Sequence, residues 1–432
     1  MTNVGSGQGI LPAPGWRRSG DFIFVSSIYP VDGEGRAVHS ASTSPYTGES
    51  EAGAQTRAVL ETLQATLAEA GTTLDRMVKA EVYLADAADF VEFKQVWQEY
   101  FPTDPPARVT AVVGEDHIIP GARLALHGVA LAGDSAYRKE IIAVADAPDP
   151  MPAEHAPQAV KAGPFVFPSA LPATDFENGI VAGKNPRLPY YGNDAELQAN
   201  FIFDQLERVL KAAGSGLDQA IKSQMYEVDL ATFHDVDRVW GARMPIPPPR
   251  SSMAMRGLLV PGAAFVANLM FLAPDDQHQK QETRAGIRWH PVDLRKVNYS
   301  PGMMAGDWLM TAGQVAMPDY QNAVFKVAPE KLPHHFSDIQ IQTEMVMELL
   351  SEQLAGNGMG LSDIVDAKVF LVYPHRDYRG FERTWRRLFE DVGRLPSMSL
   401  IPSRQANGGG GIMVPELVIE IDLISRKDAG GG

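Results

Sequence analysis

Residues 55–108 read QTRAVLETLQATLAEAG and then TTLDRMVKAEVYLADAADFVEFKQVWQEYFPTDPPAR. Val59, Leu60, Leu63 and Leu67 fall on one helical face, since positions three and four apart are neighbours on an α-helix. Gly71 follows at the position where a helix commonly closes with a left-handed residue. The period then changes to two. Val78, Ala80, Val82 and Leu84 alternate, which predicts a strand with these four on one side. A second helix carries Trp97, and Pro105-Pro106 lead into a strand opening near Arg108.

The same unit recurs twice. Gly214-Ser215-Gly216-Leu217-Asp218 leads into QAIKSQMYEVD, and Gly358-Met359-Gly360-Leu361-Ser362 leads into DIVDAKVFLVY. Gly71, Gly214 and Gly358 are 143 and 144 residues apart, and Trp97, Trp240 and Trp385 are 143 and 145 apart. That period is one small domain, far longer than a solenoid repeat. Each copy runs from an apolar hairpin (22–30, 165–172, 308–317) through a helix (about 52–70, 195–213, 339–355), a strand and the Trp helix to closing strands. This order predicts an α+β sheet with both helices on one face. The other face needs a cover, and the sibling units can supply it. We place the units at 1–135, 136–275 and 276–432, with joins near 134–150 and a polar linker over 274–292. EIIAV at 140–144 is a candidate first strand of the second unit. A loop over 174–196 holds Tyr190 and Tyr191, candidates to cover a pocket.

Composition excludes several functions. The 432 residues carry a net charge of −15, which argues against a nucleic-acid partner. With no cysteine there is no disulfide, thiolate metal site or thiol nucleophile. No histidine pair has metal-ligand spacing, and His334-His335 are merely adjacent. No apolar run is long enough to span a membrane, and the first residues do not read as a signal peptide; a cytoplasmic location is the expectation. Gly408 to Gly411 lacks the ending of a phosphate loop.

The ordered set of motifs resembles the RidA family, also called YjgF or L-PSP. It rests on Gln55-Thr56, Ala70-Gly71-x-x-Leu74 and Pro106-Ala107-Arg108 in the first unit, and on Ala212-Ala213-Gly214-x-x-Leu217 and Pro248-Pro249-Arg250 in the second. The third contributes Tyr299-Ser300, Ala312-Gly313-Gln314, Gln342-Thr343 and Ile419-Glu420-Ile421-Asp422. The resemblance implies three chorismate-mutase-like domains closed as an intramolecular pseudo-trimer, monomeric or further self-associated, with ligand sites in the clefts between domains. It also implies a small carboxylate-bearing partner gripped by arginine, a glutamate that handles water or protons, a tyrosine that closes the pocket, and no metal or organic cofactor.

The copies differ at those positions. Arg108 and Arg250 keep the arginine, while Met398 occupies it in the third unit. The glutamate position holds Ala125, Val266 and Glu420. Tyr299, Gly313 and Gln314 occur in the third unit, where the others have Ser27-Ile28 and Ala170-Leu171. One cleft can therefore be complete. Its expected catalytic residues are Glu420, Arg250 and Tyr299, and its substrate contacts Ser252, Gly313 and Gln314. Arg108 remains an alternative anchor, set by the direction of the ring, and Arg404 another, because Pro402-Ser403-Arg404 also matches the tripeptide. Ser251 and Ser252 offer hydroxyls beside Arg250. Glu420 and Asp422 share a strand face that fits a site or a plain polar surface. His127 and Asn268 occupy one strand position, and the three tryptophans read as packing residues. The functional expectation is a cofactor-independent deaminase of an imine, enamine or related small carboxylate. The rivals are a cyclisation, decarboxylation or tautomerisation in the same cleft, a non-catalytic binder or scaffold, and, weakest for so acidic a chain, a nuclease.

Overall fold

A computed structural model describes residues 9–427 apart from 42–47, 146, 148–154, 175, 182–186, 188–192, 289–297, 320–321, 323, 330 and 332–336. Tyr190, Tyr191, His334 and His335 lie outside the described residues.

In the first unit, β1 (Trp16–Ser19) and β2 (Phe22–Ile28) precede α1 (Glu51–Glu69), β3 (Met77–Leu84), α2 (Phe90–Tyr100), β4 (Ala107–Val112) and β5 (Leu124–Leu131). The second has β6 (Lys139–Ile142), β7 (Ala159–Ala162), β8 (Phe165–Pro168), α3 (Asp194–Ala212), β9 (Ala220–Glu227), α4 (Phe233–Arg243), β10 (Arg250–Ala254) and β11 (Phe265–Leu272). The third has β12 (Lys280–Thr283), β13 (Gly302–Ala305), β14 (Trp308–Thr311), β15 (Gln314–Val315), α5 (Asp338–Gly356), β16 (Ile364–Leu371), α6 (Pro374–Leu388), β17 (Ser397–Pro402) and β18 (Ile419–Arg426). EIIAV does enter the second sheet through β6, which pairs with β7. The polar stretch 274–292 is not simply a linker: β12 within it pairs with β13.

Each sheet carries the five-strand order β1-β2-β5-β3-β4 or its equivalent, with the Arg-position strand at one edge and parallel to the long central strand, and β6 and β12 add a strand at the other edge of the second and third sheets. Gly71, Gly214 and Gly358 take φ of +74°, +74° and +71°, the left-handed closure that glycine adopts without steric cost. Gln55, Gln198 and Gln342 recur at one helix position. Each donates to a carbonyl and accepts a backbone N–H just before the last strand, pinning helix to sheet.

Ala80, Val82 and Leu84 face the first unit's helices, where Trp97 is wholly buried. Trp240 and Trp385 are equally buried in their own units. Val78 departs from the expected alternation. The register shifts between Met77 and Lys79, a bulge that turns Val78 to the opposite face, where Phe22, Phe165, Trp308 and Val365 of all three units meet.

That opposite face is where the units cover one another, and it is charged. Lys79, Lys222 and Lys368 are buried with Glu81, Asp366, Asp422 and His127 around a cavity of about 50 Å³. Lys368 Nζ lies 2.5 Å from Glu81, Lys222 Nζ 2.6 Å from Asp422, and His127 Nε2 3.2 Å from Asp366, each pair joining two units. Lys79 Nζ donates to the Pro168 carbonyl at 2.7 Å. The Tyr83 and Tyr226 hydroxyls meet at 2.8 Å. Buried charges need such partners, because the uncompensated ion loses its hydration. Lys368 holds the Glu81 carboxyl, despite its burial, well below the usual range. His127 and Asn268 line this chamber.

Candidate active site between the second and third units

Strand pairing gives a ruler for comparing the copies. Arg108 sits opposite Ala80, Arg250 opposite Ser223 and Met398 opposite Ala367. Ala125, Val266 and Glu420 sit opposite Tyr83, Tyr226 and Phe370. Met398 is thus the true counterpart of the arginines. Arg404 lies past the end of β17, with Nη1 3.7 Å from Asp116.

The edge strand of each unit abuts the hairpin of the next, always in one direction. Ala170 N–H donates to the Arg108 carbonyl at 2.9 Å, and Gly313 N–H to the Arg250 carbonyl at 3.2 Å. Met398 N–H donates to Ser26 Oγ at 3.0 Å. Arg108 therefore faces the second unit, Arg250 the third, and Met398 the first. The cleft of Arg108 is lined by Thr110, Ala170, Pro172, Leu258 and Val266. The corresponding positions beside Arg250 are Ser252, Gly313, Val315 and Glu420.

Glu420 lies close against its neighbours. A Cβ on Gly313 would come 1.7 Å from Glu420 Oε1 and 2.6 Å from Ser251 Oγ. Only glycine leaves room there for the carboxyl. Burial first, then the adjacent Asp422 carboxylate, push the Glu420 carboxyl up to about 8, against the pull of Ser251 and Lys222. Glu420 is 6 % exposed. Its face of β18, shared with Asp422, is turned towards the sibling units and is not an outer surface.

Arg250 is 5 % exposed, and its guanidinium lies 4.8 Å from the Phe233 ring centre and 5.5 Å from that of Trp240. Its Nη2 donates to Asp237 at 2.5 Å. Asp237 also accepts from Asn298 of the third unit, at 2.8 Å. Nη1 of Arg250 and Oγ of Ser252 have no hydrogen-bond partner among the described residues. Ser251 does not stand beside the guanidinium as expected. Successive strand residues point to opposite faces, so Ser251 turns to Asp422, at 2.7 Å. Tyr299 is half-buried between Asn298 and Ser300, and Ser300 N–H reaches the Pro248 carbonyl at 3.3 Å. Gln314 pairs with Ile421 and donates to the Val315 carbonyl at 2.8 Å.

The sequence profile of the family described as Endoribonuclease L-PSP matches residues 17–130, 149–265 and 294–426. The chain belongs to the Endoribonuclease L-PSP family. Two relatives and one solved structure each align with about one unit of this L-PSP chain. A RutC family protein of Pyrococcus abyssi is 40% identical over 97 residues, covering 22% of this chain and 67% of that protein. The 3-aminoacrylate deaminase RutC of Acinetobacter baylyi is 36% identical over 97 residues, covering 22% and 70%. A putative endoribonuclease structure from Klebsiella pneumoniae is 27% identical, covers 27% of this chain and 98% of that one, and has a TM-score of 0.25. No helix among the described residues is long and apolar enough to cross a membrane.

Two acidic groups of the second unit were not singled out from sequence. Asp237 aligns with Lys94 and Glu382, and Glu227 with Leu84 and Leu371. A column-by-column comparison of the copies would have exposed Glu227 as peculiar to one unit, while Asp237 shares its column with the acidic Glu382 and is set apart by its contact with Arg250.

Proposed function

We propose that this chain works as a single-chain trimer whose cleft between the second and third units deaminates an imine or enamine of a small carboxylic acid. One observation carries the reading: Arg250 and Glu420, from different units, flank the same clasp of Gly313 N–H on the Arg250 carbonyl. The substrate carboxylate accepts from Arg250 Nη1 and Ser252 Oγ, two donors without partners among the described residues. Glu420, protonated near neutrality, gives its proton to the enamine carbon and leaves an iminium. Water adds to the iminium carbon, the one that bears nitrogen, with Glu420 taking back a proton, and the carbinolamine expels ammonia to give the carbonyl compound. Tyr299 and Gln314 shape the entrance. No step calls for a cofactor.

A second reading, a cleft that binds without turnover, draws on Asp237, which already neutralises Arg250. The two part in an assay of ammonia release from 3-aminoacrylate and its 2-amino isomer generated in situ. The deaminase reading expects acceleration over buffer that is lost in Glu420→Gln. No acceleration by the wild-type chain, or full activity in the variant, would sink it.

A further inference from the structure

Glu227 ends β9 where the sibling strands end in Leu84 and Leu371, both packed in cores between helix and sheet. It is wholly buried, and neither carboxyl oxygen has a hydrogen-bond partner among the described residues. A buried acid with no partner is costly, and leucine fills the same place in two of three copies. Arg250 Nη1 and Ser252 Oγ, and Trp240 Nε1 beside the guanidinium, are likewise without a partner among the described residues. Ser252 pairs with Met225 and Ala254 with Glu227, so these side chains share one face of adjacent strands. The charged groups around Glu227 are Arg250 from β10, Asp237 from α4 and Asp229 just beyond β9.

We infer that Glu227 is a third contact of this cleft for the substrate carboxylate, beside Arg250 and Ser252. The inference rests on the reading of the Arg250 cleft given above. Arg250 is charge-balanced by Asp237, so the guanidinium supplies directed N–H groups with little net charge. An ionised Glu227 would repel a carboxylate, whereas its acid form donates an O–H. Burial pushes the Glu227 carboxyl up to about 8, which keeps it in the donor form at neutral pH. Three donors then converge: a guanidinium N–H, a hydroxyl and a carboxylic acid. The class selected is a small carboxylic acid held through one carboxylate.

The test is calorimetric titration of the full chain with pyruvate, a non-reacting 2-keto acid, from pH 6.5 to 9. All variants are made on Glu420→Gln, so that the other high-pKa carboxyl does not titrate. With Glu227 intact, affinity should fall about tenfold per pH unit above about pH 8, as one deprotonation requires. Glu227→Gln keeps an N–H donor and should bind within about threefold at pH 6.5, with the alkaline fall removed. Glu227→Leu should bind at least about tenfold more weakly at pH 6.5 while melting no lower, since it restores the sibling residue. Undiminished binding in Glu227→Leu, or an alkaline fall that persists in Glu227→Gln, overturns the inference. Arg250→Lys separates the two claims. If it weakens pyruvate and Glu227→Leu does not, only the Glu227 contact fails. If pyruvate does not bind the Glu420→Gln chain, or binds Arg250→Lys unchanged, the reading of the cleft fails and takes the inference with it.

Discussion

The cleft between the second and third units and the cleft between the third and first are built on the same strands but filled in opposite ways. In the first of these the edge strand presents Arg250 and Ser252, and the facing strand presents Glu420. In the other the same positions hold Met398, Leu400 and Ala125, all buried in one apolar cluster with Tyr29. The Tyr29 hydroxyl donates to the Leu400 carbonyl at 3.2 Å, plugging the groove. The remaining cleft is intermediate: Arg108 lies over Phe90, Phe93 and Trp97 and faces Val266, beside a cavity of about 20 Å³. A hydrogen bond at the arginine position clasps each of the three interfaces, backbone to backbone at Arg108 and Arg250 and from Met398 N–H to the Ser26 hydroxyl in the third. Chemistry at an interface is therefore a matter of a few side chains, and triplication within one chain lets each cleft change alone.

This comparison breaks most readily at Glu420. Glu420→Gln should lower kcat by about 10²- to 10⁴-fold, the range for losing a positioned acid–base group. Val266→Ala in the neighbouring cleft should leave kcat unchanged; a similar loss there would put chemistry in the wrong cleft. Next come the arginines. Arg250→Ala, combined with Asp237→Asn to avoid a stranded carboxylate, should cost about 30- to 1000-fold in kcat/KM, as expected when a buried charged contact is truncated. Arg108→Ala should cost nothing in the same assay.

A stability experiment sharpens the contrast between the clefts and the charged centre that holds the units together. Lys368→Met leaves Glu81 buried without its cation and should cost about 3–5 kcal/mol by denaturant titration. The double replacement Lys368→Met/Glu81→Leu should recover most of it. If the double variant is as unstable as the single, the paired charges matter more than their mutual compensation.

The remaining contrast concerns pH. Glu227 has a folded pKa raised to about 8 from an ordinary value of 4.5. The folded chain thus holds a proton that the unfolded chain has released. This contribution is fully present below about pH 4.5 and is lost as pH rises through about 8. Wild type should lose stability relative to Glu227→Gln across that window, read as the difference between two denaturation profiles. A difference that stays flat or grows with pH would contradict the buried, protonated state.

Much of this was legible in residues 55–108 and their two echoes, because helix and strand periodicity and closing glycines are local signals. The positions of Met398, Val266 and Glu420 also follow from sequence, and strand register bears out that correspondence. What escaped depends on contacts across the chain. The bulge at Val78 answers to its pairing with β5, and β12 forms in a polar stretch only because β13 lies beside it. Ser251 points away from the guanidinium because strand alternation outranks proximity in sequence. The lysines and acids of the centre look like surface residues until the sheets are brought face to face. Asp237 and Glu227 belong to no repeated motif, so a search guided by what the copies share passes over them.

The most direct measurement is a crystal of the intact chain soaked with a small 2-keto acid. The account predicts density in the cleft between the second and third units, its carboxylate on Arg250 and Ser252 and its carbonyl towards Glu420, with the other two clefts empty. Equal occupancy of all three clefts, or density in the cleft of Arg108 with none at Arg250, would contradict it.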